Sequence, residues 1–159
     1  MTSPTVAGID LMELAAKVEA AACGDRVLDC EIAVALREAP YTAPWATKFP
    51  DWRVQSLQGY TRAEVWDGDR LVGHWHSFAP YSASLDAAMT LIPDGLGVGW
   101  RMTDGAGGPT AEIWCVAIEG PDAPREVYHV GANPTATPAL ALTAAALRAR
   151  AFLIEEERS

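Results

Sequence analysis

Apolar residues recur along this chain at two different periods. Leu11, Leu14, Ala15, Val18 and Ala22 keep the three-and-four spacing of a helix face. They predict a first helix opening at Asp10, with Glu13 completing a capping box, and ending near Gly24. Asp25 caps a second helix whose face is Leu28, Ile32, Ala35 and Leu36 and which Pro40 stops. Ser84 caps a third, with Leu85, Ala88, Met89 and Ile92 on its apolar side, Asp86 near its positive end and Pro93 as its limit. Thr137 and Pro138 open a fourth, lined by Leu140, Ala144, Leu147, Ala151 and Ile154; Ala141, Ala145, Ala146 and Ala149 keep the rest small enough for close packing. The Glu155–Glu157 run is a solvated end.

Period two marks the strands. Val98, Trp100 and Met102 alternate with Gly99, Arg101 and Thr103. In the next run Ile113, Cys115 and Ala117 share one face while Trp114, Val116 and Ile118 share the other, so residues 112–118 read as a central strand with both faces covered. Glu126–Gly131 supplies a third strand after the turn Pro121-Asp122-Ala123-Pro124. Earlier, Arg62–Trp66 and Leu71–Phe78 flank Asp67-Gly68-Asp69 and read as a hairpin. Residues 40–59 interleave Pro40, Pro44 and Pro50 with Tyr41, Trp45, Phe49 and Trp52, and read as an irregular loop carrying large apolar surface, either a lid or binding wall or, structurally, aromatics that seal one edge of the core. Residues 1–8 are predicted to fray.

These elements predict one α+β domain: a three-layer helix/antiparallel sheet/helix sandwich with an N-terminal helix pair, an aromatic insertion with a hairpin at 40–79, and an α-β-β-β-α unit at 80–157. The chain has 159 residues, half of them hydrophobic, enough for a core without metal or disulfide support. Its formal net charge of −9 opposes binding to a DNA or RNA duplex, which needs clustered cations. Cys23, Cys30 and Cys115 lack zinc-site spacing and read as reduced core cysteines of a cytosolic protein. Neither a signal peptide nor a membrane-spanning run is visible.

SLDAAMTLIPDG, the GWRM strand after it, TPALALTAAALRARA and the N-terminal GDRVLDCEIAVAL together resemble the phage ABA-sandwich family, small proteins of bacteriophages and prophages. The resemblance covers residues 11–38 and 80–152. It implies a helix/sheet/helix sandwich and brings no activity or catalytic residues. Residues 40–79 depart from the short connection of that family, which makes them the place for a special function.

Candidate chemistry is sparse. His74 and His76 flank Trp75 and would project from one strand face about 7 Å apart. They suit a phosphate or a shared metal, for which His129, Asp67 and Asp69 are the candidate further ligands by type, and surface histidines are the simpler account. Gly95, Gly97 and Gly99 precede a strand, unlike a dinucleotide-binding turn, and GAGG at 105–108 lacks the Lys of a P-loop. Ser84 has no nucleophile elbow, so a hydrolase is the weakest reading. Six Trp in a short acidic chain, several near Arg residues, are what a nucleobase-phosphate pocket uses, and equally what a core or a dimer contact uses. The functional expectation is a non-enzymatic phage accessory protein in the host cytosol, without a cofactor, that sequesters a small nucleotide-like ligand to blunt a host defence signal. Its ligand-binding residues would be Trp45, Trp52, His74, Trp75, His76, Tyr81 and Ser82, at the junction of the insertion and the third helix, where Tyr81 and Ser82 precede the cap and are free to face outward. The alternative is an acidic module that inhibits a host protein. A free sheet edge and the spare aromatics also predict a homo-oligomer.

Overall fold

Strand pairing turns the alternating runs into two separate sheets. The computed structural model describes residues 8–118, 120–121 and 124–158; of the fraying predicted for residues 1–8, all but Gly8, which begins a helix, lies outside them, as does the Asp122-Ala123 centre of the predicted turn. Within these residues run α1 (Gly8–Ala20), α2 (Arg26–Ala35), a 3-10 turn (Pro44–Lys48), β1 (Asp51–Leu57), β2 (Tyr60–Asp67) and β3 (Arg70–Trp75). Then follow α3 (Leu85–Met89), β4 (Val98–Gly105), β5 (Gly108–Ala117), β6 (Arg125–Gly131) and α4 (Pro138–Arg158). Both sheets are antiparallel and three-stranded, in the orders β1-β2-β3 and β4-β5-β6. The fold is α+β. No described helix is long and apolar enough to cross a membrane.

The caps act as their sequences require. Asp25 accepts from Val27 N at 2.6 Å, Ser84 from Ala87 N at 3.2 Å and Thr137 from Leu140 N at 3.2 Å, each satisfying a first-turn donor. The capping box does not form as predicted, because α1 already starts at Gly8 and Asp10 lies within it. Helix α3 is shorter than predicted: beyond Met89 the chain tightens, with Leu91 N bonding Ala88 O and Ile92 N bonding Met89 O. Tightening towards three residues per turn aligns Ala88 with Leu91 as the buried pair and leaves Leu85 and Met89 exposed.

The 40–59 stretch is the larger correction. Its first half holds the 3-10 turn, but residues 51–57 form a regular strand, paired with β2 from Asp51↔Trp66 to Leu57↔Tyr60. Prolines end at Pro50, so nothing in 51–57 lacks a ladder donor. The turn closing this hairpin is Gln58-Gly59, both at positive φ (43° and 84°), as a tight primed turn demands.

Two apolar cores result, and α2 belongs to both. Leu28 and Ile32 face the larger core with α1, α3, α4 and the β4-β5-β6 sheet; Cys30 and Val34 face the smaller one, under the β1-β2-β3 sheet. Cys23, predicted to be a core cysteine, is instead exposed. At the centre of the larger core, Ala139 through Leu147 are all buried, along with Ala149 and Ala151, so α4 lacks the polar stripe of a surface helix over those turns. It is enclosed by α1, α3 and the sheet. Its polar side chains each find a backbone carbonyl: Thr143 Oγ1 donates to Tyr81 O at 2.8 Å, Arg148 to Gly131 O at 2.8 Å and Arg150 to Leu91 O at 2.6 Å. Arg148 also clamps Glu19 of α1. Burial raises the Glu19 carboxyl, yet the bonds from Arg148 and from Asn133 outweigh it and hold the group below the usual range. On β5 the Ala111, Ile113 and Cys115 face joins this core, while the opposite face carries half-buried Glu112, Trp114 and Val116, and Ile118 is exposed.

Because α4 is enclosed on every side between Ala139 and Leu147, Ala144→Leu should destabilise by about 1–3 kcal/mol through overpacking, whereas Glu156→Ala at the solvated end should stay within about 0.5 kcal/mol of the parent. Urea denaturation of the two variants measures the difference.

Candidate functional site

The predicted junction is built around a turn at Pro80–Ser84. Ala83 N and Ser84 N both bond Pro80 O, which closes the turn ahead of the α3 cap. Ser82 is fully buried; its N and Oγ each donate to Asp29 Oδ1 at 2.8 Å, and its Oγ accepts from Asp25 N at 2.8 Å. With Thr143 holding Tyr81 O, the turn is fastened to α2 on one side and to α4 on the other. Asp29 is itself buried on α2, and that burial pushes its carboxyl up despite the Ser82 donors that pull it down. Tyr81 and Ser82 therefore do not face outward as predicted. Ser82 is consumed as the partner of a buried carboxylate 53 residues away in sequence, and the Tyr81 ring belongs to the larger core.

The tryptophans are placed by the smaller core. Trp75 is 7% exposed and meets Trp52 edge-on, with ring centroids 5.1 Å apart. Trp52 Nε1 donates to Ala46 O (3.0 Å) and Phe49 O (2.9 Å) of the 3-10 turn, while the Arg37 guanidinium lies 4.4 Å over its ring. Trp45 rests on Gly73: a Cβ there would sit 2.4 Å from the ring, so only glycine allows this approach. These three rings thus seal the sheet against α2, the structural account of the loop. His74 and His76 are exposed. His74 pairs with Glu64 across the strands, and His76 has the Tyr60 ring at 6.0 Å. The seven predicted residues are consequently divided between two cores and the outer surface. Among the described residues no group of His, Cys, Asp and Glu is arranged to hold a metal ion.

What the junction does contain is a cleft of about 400 Å³, lined by Ala33, Glu38, Pro40, Ser77, Phe78 and Tyr81 among others. Of the predicted set only Tyr81 reaches it. Arg26 stands 5.5 Å over the Phe78 ring and donates to His76 O at 2.6 Å, which fixes a cation beside one cleft wall. Burial, helped by the charge of Glu38, raises the Tyr81 phenol, so it remains a neutral donor. The arrangement offers two aromatic side chains, a carboxylate acceptor, two hydroxyls and an adjacent guanidinium. The signal missed in sequence was Phe78-Ala79-Pro80-Tyr81, two aromatics bracketing a proline just before a helix cap.

A second signal missed in sequence links the two sheets. Trp52-Arg53-Val54 and Ala63-Glu64-Val65-Trp66 recur 48 residues later as Trp100-Arg101-Met102 and Ala111-Glu112-Ile113-Trp114. The register recurs too: Trp52↔Val65, Arg53↔Glu64 and Val54↔Ala63 in one hairpin, Trp100↔Ile113, Arg101↔Glu112 and Met102↔Ala111 in the other. On each outer face the repeated Glu is engaged. Glu64 accepts from Arg62 (2.8 Å) and Trp66 Nε1 (3.0 Å), and Glu112 from Arg101 Nε (2.9 Å), with His129 Nε2 at 2.8 Å. Gly99 is obligatory beneath this second group, since a Cβ there would lie 2.7 Å from the Trp114 ring.

The Asp29 joint makes a test with a defined sign. A carboxyl whose folded pKa is raised favours the fold most when protonated, and its contribution declines as pH rises from the unfolded value towards the folded one. Asp29→Asn keeps an acceptor for Ser82 and removes that decline. Its melting temperature should equal or exceed the parent's at pH 7, with the gap closing towards about pH 4. Asp29→Ala strands the Ser82 donors and should cost about 1–3 kcal/mol. Thermal denaturation between pH 4 and 8 separates the outcomes.

No family model, curated protein or solved structure matches this chain, so its function is argued from the geometry of its own residues.

Proposed function

We propose that this protein is a non-enzymatic binding protein that takes a small nucleotide-like ligand into the cleft between the end of α2, Ser77-Phe78 and Tyr81. The observation that carries this reading is the cleft itself. At about 400 Å³ it falls within the roughly 300–1,000 Å³ range of small-molecule sites and combines aromatic walls with a few convergent polar groups. Phe78 offers a face or edge to a planar base. Glu38 accepts from an exocyclic amine or ring N–H, and the Tyr81 and Ser77 hydroxyls add polar contacts. The Glu38 carboxylate disfavours a phosphate inside, so the phosphate points outward, towards Arg26. In keeping with the resemblance to phage ABA-sandwich proteins, its role is that of an accessory protein that sequesters such a ligand in the host and blunts a defence signal.

Isothermal calorimetry against nucleosides, mononucleotides and cyclic dinucleotides tests this. Phe78→Ala should weaken binding by about 1–3 kcal/mol if a base stacks there, and Glu38→Gln should weaken amine-bearing bases more than bases without an amine. Trp75→Ala should lower the melting temperature by several degrees while leaving affinity nearly unchanged. Absence of heat and of thermal shift for every ligand up to about millimolar concentration would overturn the assignment.

A further inference from the structure

The 48-residue repeat sets two tryptophans in equivalent positions with unequal surroundings. Trp52 and Trp100 both lie on an outer strand opposite a fully buried aliphatic residue, Val65 or Ile113, so both point to the core side of their sheet. Trp52 is covered: the 3-10 turn gives two carbonyls to its Nε1, and Arg37 lies over its ring. Trp100 follows a connection of only eight residues after α3, against fifteen between α2 and β1. It is 38% exposed, and its indole has no hydrogen-bond, ring or cation partner among the described residues. Leu96, in that connection, is 78% exposed, and Leu85 and Met89 of α3 are exposed too. Single exposed apolar residues are ordinary, but an indole whose own structural counterpart shows what should cover it is not.

We infer that the Trp100 edge of the second sheet is a docking surface for a basic, turn-forming segment of a partner protein. The covered counterpart describes the occupant: a turn, opened by a proline in Pro44–Lys48, that aims backbone carbonyls at the indole N–H, and a guanidinium that stacks on the ring. Charge points the same way. Asp104 is exposed on β4 on the same strand face as Trp100, and the chain as a whole carries −9, which favours a cationic segment and opposes a second copy of itself. Leu96, exposed in the run that leads into β4, adds a second apolar side chain to the Trp anchor. This surface is separate from the cleft and does not depend on the ligand assignment.

The probe is a synthetic peptide with the sequence of residues 37–50, which holds Arg37, the 3-10 turn and both carbonyls. Titrated into the whole protein at low salt and followed by calorimetry, it should bind; Trp100→Ala and Leu96→Asp should each weaken binding about tenfold or more, and an Arg37→Glu peptide should bind more weakly. Leu96 is so exposed that its replacement leaves the fold intact, so the test survives if Trp100→Ala misfolds. No binding at about 1 mM, or binding untouched by both protein variants, would overturn the inference. So would a native mass spectrum showing a dimer that Leu96→Asp dissociates, which would seat a second copy there.

Discussion

The burial of α4 from Ala139 to Leu147, continued by Ala149 and Ala151, is the constraint on which the rest of the molecule depends. Turns of helix with no solvent face cannot leave a polar side chain or a neighbouring carbonyl unserved, since an unpaired buried group costs about 1–3 kcal/mol. Thr143, Arg148 and Arg150 meet this demand by reaching out to Tyr81, Gly131 and Leu91, one carbonyl in each neighbouring segment. Alanine at most other positions lets α1 and the sheet approach closely, and the clamp between Arg148 and Glu19 sets where α1 lies. The turn before α3, the end of β6 and the first helix are thus all positioned from one element.

From that post outward the two sheets have different status. The β4-β5-β6 sheet rests on α4 directly, whereas the β1-β2-β3 sheet reaches the rest of the protein through α2 and the 3-10 turn. The aromatics of the 40–79 segment are spent chiefly on this second core. The tryptophan cluster is therefore occupied with packing, and the two surfaces we propose for recognition lie elsewhere: the cleft beside Phe78, and the uncovered counterpart of Trp52 on the other sheet.

Much of the fold could be read from residue pattern because the determinants were local. Asp25, Ser84 and Thr137 announce helix starts by side-chain chemistry within three residues, and the alternation at 98–103 and 112–117 survives as β4 and β5. Two kinds of feature were not legible. One is compensation at a distance: nothing near Ser82 says that it must serve Asp29 on α2, and an outward-facing Ser before a cap was the natural inference. The other is masking by neighbours: the prolines and aromatics of 40–50 hid a regular strand that begins immediately after them. The candidate site suffered accordingly. Of the residues named for it, only Tyr81 lines the cleft, because aromatic count reports burial as readily as binding. The 48-residue recurrence was present in the letters throughout, but its significance lies in cross-strand register, which pairs residues nine to thirteen apart.

The double allegiance of α2 changes what the 40–79 segment is. A stretch longer than a plain connection looks like a graft that could be trimmed back to a short loop. Here, however, Cys30 and Val34 are covered by that stretch on the helix face opposite Leu28 and Ile32. Excision would bare a strip of apolar surface on a helix that also walls the main core and carries the Asp29 joint. The segment is therefore a structural partner of the frame and not an ornament on it, and a chain without it would need a different α2.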